Sequence, residues 1–137
     1  MSYIRYKNNN LFVESVSVRS LTSKFSTPFY LYSEGNIIEN YKSFSNNFKK
    51  SNPLICFSVK ANSNIQILKV LKKMGSGADV VSGGELLKAI KSGIKPNKIV
   101  FSGVGKTEDE IEKEIKKNIL LINVESENEA VLINKIA

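Results

Sequence analysis

From residue 27 onward, short apolar runs alternate with longer segments in which apolar residues recur every three or four positions. The short runs fall at 28–32, 54–59, 78–81, 99–101 and 119–124. Runs of this length, rich in Val, Ile, Phe and Tyr and bounded by turn residues, predict β-strands. The segment after Ser33 carries Ile37, Tyr41, Phe44 and Phe48, one apolar stripe of an amphipathic helix. Four further helix starts share a pattern in which a hydroxyl residue precedes a Glu or Gln by three positions. They are Ser63-Asn64-Ile65-Gln66, Ser82-Gly83-Gly84-Glu85, Thr107-Glu108-Asp109-Glu110 and Ser126-Glu127-Asn128-Glu129. In such a capping box the two side chains satisfy orphan amides reciprocally. Helix stops are expected at Gly75, at Gly93 followed by Pro96, and at Asn118 after Lys116-Lys117.

Strands alternating with helices of about ten residues predict βαβ units and a parallel sheet, hence an α/β fold. The repeat suits a (β/α)8 TIM-type barrel or a doubly wound sheet. A barrel needs eight units and typically about 250 residues, so the chain reads as the front part of a larger enzyme. Residues 1–26 differ. Stretches 11–14 and 15–18 look like short strands, Asn8-Asn9-Asn10 like a turn, and 21–25 like a short helix. The expected organisation is a β segment over 1–26, belonging to a separate β domain, and the first part of a barrel over 27–137.

Composition narrows the function classes. The chain has 137 residues, a net charge of +7, one cysteine and no histidine. A single cysteine excludes an internal disulfide and fits a cytoplasmic setting. Without histidine, neither a Ser-His-Asp or Cys-His nucleophile nor a histidine metal site can be built from these residues. No apolar stretch approaches the roughly 20 residues of a membrane span. The positive charge does not point to nucleic acid: the lysines are dispersed over helices among glutamates, several late in their helices, where the macrodipole favours cations. No nucleic-acid or membrane partner is expected.

Lys60 is the residue with chemical promise. It ends the apolar run Leu54-Ile55-Cys56-Phe57-Ser58-Val59 and opens Ala61-Asn62-Ser63-Asn64. An amine where a buried strand runs out can attack an aldehyde, and partial burial would lower its pKa for that task. A solvated lysine opening a loop is the plainer reading of the same position. Cys56, in mid-strand, reads as inert core. Asp79 reads as a strand-end carboxylate or a turn residue, and Glu85 as the capping partner of Ser82. Ser102-Gly103-Val104-Gly105-Lys106-Thr107 imitates the end of a P-loop. The full motif needs a glycine where Val100 stands, so a phosphate nest is not expected.

Cys56-Phe57-Ser58-Val59-Lys60-Ala61-Asn62 resembles the lysine motif of the ornithine/diaminopimelate/arginine decarboxylases, which use pyridoxal 5′-phosphate (PLP). Gly77-Ala78-Asp79-Val80-Val81-Ser82-Gly83-Gly84-Glu85-Leu86, Val100-Phe101-Ser102-Gly103-Val104-Gly105-Lys106-Thr107 and Asn123-Val124-Glu125-Ser126-Glu127 are similar to three further motifs of that family, in their diaminopimelate versions. Thr27-Pro28-Phe29-Tyr30-Leu31-Tyr32-Ser33 fits it as well. The resemblance implies an alanine-racemase-type barrel with a β domain, PLP held by Lys60, and Asp79 and Glu85 as cofactor-binding residues, Glu85 close to the Lys60 amine. It implies decarboxylation of meso-2,6-diaminopimelate to L-lysine in lysine biosynthesis, by a homodimeric parent acting on a small amino acid. Arginine, ornithine or carboxynorspermidine as substrate, or a non-enzymatic role in PLP homeostasis, are the alternatives. The family's later histidine, glycine-rich phosphate loop and interface cysteine and tyrosine have no counterpart here, so the 137 residues alone are expected to be inactive.

Overall fold

A computed structural model describes residues 3–137, which form two compact units, residues 3–44 and Ser45–Ala137. In the first unit, β1 (Ile4–Lys7), β2 (Asn10–Val13) and β3 (Val16–Ser17) make an antiparallel sheet in the order β1-β2-β3. Lys7 pairs with Asn10, so the hairpin turns on two residues only, Asn8 and Asn9. Both have positive φ (49° and 59°), the left-handed conformation that asparagine tolerates and that a two-residue hairpin of matching twist requires. The asparagine turn signal is thus realised, and the strand ahead of it, absent from the sequence-based expectation, is its consequence. β1 is exposed along its whole length, so no buried face betrayed it. A short helix α1 (Val18–Thr22) follows, beginning three residues before the expected start.

α2 (Glu34–Asn46) begins after Ser33, whose hydroxyl accepts the Asn36 amide at 3.0 Å as expected of a cap. The same hydroxyl donates to Glu14 Oε1 at 2.7 Å, and the Gly35 amide donates to that oxygen at 2.8 Å. These bonds hold the Glu14 carboxyl below the usual range. The strand expected over 28–32 is not formed, and Tyr30, Leu31 and Tyr32 are exposed. Strand propensity is realised only against a neighbour that takes up the backbone groups, and these residues have no ladder partner.

The second unit is a parallel four-stranded sheet in the order β4-β5-β6-β7, each strand followed by a helix. Its elements are β4 (Cys56–Ser58), α3 (Ile65–Lys73), β5 (Gly77–Val80), α4 (Gly83–Lys91), β6 (Ile99–Phe101), α5 (Glu108–Lys117), β7 (Leu121–Ile122) and α6 (Glu127–Ile136). The register sets Phe57 beside Ala78 and Ala78 beside Ile99, with Val80 beside Phe101. These residues share the face that packs under the helices, and with Val59, Leu68, Leu86, Ala89 and Ile94 they build the core. Alternation puts Ser58, Asp79, Val100 and Leu121, also side by side in register, on the opposite face. Helices on one face and a row of mixed polarity on the other is the layering of a (β/α) barrel wall. The helices stop where Gly75, Gly93 and Asn118 take φ values of 91°, 92° and 57°. Among the described residues no helix is long and apolar enough to cross a membrane.

Candidate functional site

All four parallel strands point their C-terminal ends toward one rim, and Lys60 stands there. β4 ends at Ser58 and passes into a single 3-10 turn, Val59–Ala61. Val59 is fully buried and anchors the turn, which packs against β5 and α4. Lys60 itself is exposed. The partial burial expected from sequence is therefore not supplied by these residues, because the turn buries Val59 and leaves its neighbour facing water. Beyond the turn, Asn62 Oδ1 accepts the Asn64 amide at 3.0 Å and Asn64 Oδ1 accepts the Gln66 amide at 2.9 Å. Asn64, not Ser63, caps α3. The two adjacent residues are both good caps, and the one that reaches the second helical amide takes the role. Ser63 Oγ instead accepts a bond from Lys88 Nζ on α4 at 2.8 Å.

Asp79 lies next to Ser58 on the neighbouring strand. Its Oδ1 and the Ser58 Oγ are both buried and without a hydrogen-bond partner. Buried polar atoms are rarely left so, and these two stand in register on neighbouring strands, Ser58 two residues before Lys60. Cys56 precedes Ser58 on the same face; burial first, then the nearby Asp79 charge, push its thiol pKa up. A thiol kept protonated is a poor nucleophile, in keeping with the inert role expected.

Glu85 is committed to the backbone. Its Oε2 accepts the Val81 amide at 3.0 Å while its own amide donates to Ser82 Oγ at 3.3 Å. The reciprocal arm of the expected box lands one residue earlier than the cap. Glu129 behaves alike, taking the Glu125 amide at 2.7 Å while its own amide donates to Ser126 Oγ. Of the four boxes expected, the one between Thr107 and Glu110 closes in full. Glu110 reaches further, accepting the Gly83 amide at 2.8 Å, which together with the Thr107 amide holds its carboxyl low. The start of α4 is thereby tied to the start of α5.

Sequence reasoning missed Lys106 as a structural residue. Its ammonium is buried and donates to Gly103 O, Asn123 O and Glu129 Oε1 at 2.7, 2.6 and 3.0 Å. An ammonium has three hydrogens, and all three are used, so it cannot hold a nucleotide phosphate as a P-loop lysine does. Gly103 is required by packing: a Cβ there would stand 2.5 Å from Val81 O and 2.8 Å from the Phe101 ring.

A wall of parallel β/α units carrying a lysine on its C-terminal rim, beside orphaned polar atoms, defines the barrel class of lysine-dependent cofactor enzymes. The comparisons sharpen this. Residues 34–137 match the family model described as pyridoxal-dependent decarboxylase, pyridoxal binding domain. The chain is 45% identical to a diaminopimelate decarboxylase of Aquifex aeolicus, over 98% of its own length and 32% of that protein's. It is 51% identical to one of Helicobacter pylori, over 85% of the chain and 29% of that protein. A crystal structure of diaminopimelate decarboxylase from M. jannaschii in complex with L-lysine superposes with a TM-score of 0.92 at 39% identity, covering 97% of the chain and 32% of that structure. The chain belongs to the pyridoxal-dependent decarboxylase family, and it spans about a third of the length of the curated relatives it matches.

Proposed function

We propose that these residues form the lysine-bearing part of a decarboxylase that converts meso-2,6-diaminopimelate to L-lysine with PLP held at Lys60, acting in the cytoplasm as a homodimer. One observation carries the reading: Lys60 stands on the rim of the strand C-terminal ends, directly beyond the buried, unpartnered oxygens of Ser58 and Asp79. An accessible amine above two orphaned polar atoms suits a polar aromatic aldehyde. The identity to diaminopimelate decarboxylases favours this substrate over arginine or ornithine.

PLP, when bound, supplies an electron sink for the pair released as the bond between Cα and the carboxylate breaks. The residues of this chain provide the rest. Lys60 offers the amine that holds the aldehyde. Asp79, in register with Ser58 on the neighbouring strand, offers a buried and unpartnered carboxylate oxygen to a polar group bound there. Glu85 fixes the backbone where β5 turns into α4, on the element packed against the Lys60 turn.

The test is borohydride reduction of the chain with PLP, followed by peptide mapping. A pyridoxyl adduct concentrated on Lys60 is expected; label scattered over surface lysines overturns the cofactor assignment. For the substrate, carbon dioxide release from meso-diaminopimelate, arginine and ornithine by the full-length protein carrying this sequence decides between them.

A further inference from the structure

We propose that Lys106 is a positioning residue whose buried ammonium locks together the loop after β6 and the loop after β7, fixing half of the rim that faces the cofactor. The inference rests on the reading of that rim as the PLP site.

The side chain of Lys106 is fully inaccessible to water, as an ammonium is only when its hydrogens are all taken up. Its three acceptors come from three segments. Gly103 O belongs to the loop leaving β6, Asn123 O to the loop leaving β7, and Glu129 Oε1 to the first turn of α6. The cation also lies 5.8 Å from the centre of the Phe101 ring. Its one ion-pair partner, Glu129, has a side chain 10% exposed, and its other oxygen accepts the Glu125 amide. Lys106 therefore reaches, directly and through Glu129, both loops that carry residues of the matched motifs. Asn123 Nδ2 adds one parallel tie, to Ser102 Oγ at 2.9 Å.

Apolar packing does not hold the tip of the first loop. Val104 is 78% exposed, and Gly105 sits at φ 66° with open space where a side chain would stand. A loop without apolar burial keeps one conformation only through its polar ties. Here three hydrogen bonds converge on the Lys106 nitrogen. The three donors and the charge explain why the position holds a lysine: a neutral apolar residue would take a hydrogen bond from each of two carbonyls and the ion pair from Glu129.

The experiment compares wild type with Lys106→Met, which keeps the stem and removes the donors. Two readouts are taken on the full chain. Hydrogen exchange reports amides 102–105 and 123–126 against the β5 amides, and borohydride capture of PLP reports the ratio of label on Lys60 to label on other lysines. Exchange in the two loops is expected to rise about tenfold or more, the fold-change of a net hydrogen bond or two, with β5 unchanged, and the Lys60 ratio is expected to fall. Unchanged loop exchange overturns the proposal. So does a rise shared equally by β5, or a Lys60 ratio that stays at its wild-type value, since either leaves Lys106 a fold-stabilising ion pair and no more. Should Lys106→Met fail to fold, Glu129→Gln reads the same loops with a smaller expected rise, and no change there is equally fatal. A wild-type chain that never labels Lys60 sinks the cofactor reading instead, while loop exchange still decides whether Lys106 is the lock.

Discussion

Glu114 gives the sharpest physical prediction. It lies on α5 with 0% of its surface exposed, and neither carboxyl oxygen has a hydrogen-bond partner. Burial pushes its pKa up to about 7; the Lys106 ammonium opposes the shift, and the charges of Glu110 and Glu129 add to it. The raised value means that the folded chain binds a proton which the unfolded chain, with an ordinary carboxyl pKa of about 4.3, has already released. Between about pH 4.5 and pH 7 the unfolded state therefore binds fewer protons, and stability falls as pH rises through that window. Above about pH 7 both states are ionised and the loss is complete. A shift of this size is worth at most about 4 kcal/mol. Glu114→Gln keeps the shape and cannot ionise, so it should stabilise the chain by about 1–3 kcal/mol near pH 8 and by almost nothing near pH 4.5. The assay is urea unfolding of both proteins across this range, read as the difference between them. The difference matters because Glu14, Glu110, Glu112 and Glu129 have lowered pKa values and lose their stabilisation toward acid pH in both proteins alike. A difference that does not vary with pH, or a Gln variant less stable at pH 8, refutes the reasoning.

Three further outcomes are expected. Lys60→Ala should abolish the pyridoxyl label at that position yet change stability by less than about 0.5 kcal/mol, because the side chain is exposed; peptide mapping and a melting curve check both halves. Gly103→Ala should cost about 1–3 kcal/mol in chemical unfolding, since its methyl meets the Val81 carbonyl and the Phe101 ring, neither of which can retreat from the core. Thr107→Ala removes the complete capping box of α5 and should lower stability by about 1–2 kcal/mol, with faster hydrogen exchange in the first turn of α5 as the local signature.

Much of the parallel unit was legible because its signals are local. Gly75, Gly93 and Asn118 end helices through their own backbone freedom, and Ser82, Thr107 and Ser126 start them through their own hydroxyls. Strand 99–101 was read to the residue because its apolar run is covered on both sides. The final run over 119–124 shrank to Leu121–Ile122, since only residues opposite β6 find ladder partners. Residues 28–32 and Ile4–Lys7 failed in opposite directions for one reason. Whether a segment becomes a strand is decided by a partner elsewhere in the chain, which aromatic content cannot reveal and an exposed hairpin arm does not advertise.

The site divides along the same line. Lys60 and Asp79 announce themselves by sitting where strands end, a position that sequence can find. Lys106 and Glu114 matter through burial, which belongs to the packing. Even so, Glu114 left a trace. It falls three residues after Ile111 and one before Ile115, on the helix stripe that turns inward, where an acid has no ordinary business. A charged residue on an apolar stripe is a question put by the sequence, and here the fold answers it with an ammonium nearby but pledged elsewhere. Lys106 spends its hydrogens on Gly103, Asn123 and Glu129, so Glu114 gains the attraction of that charge without a bond to it. The rim is held in place at the expense of the helix beneath it. If that is so, Lys106→Met should raise the Glu114 pKa further by removing the one charge that lowers it. Carboxyl titration followed by NMR would show this, and a Glu114 pKa unchanged or lowered in the variant would break the link between the two residues.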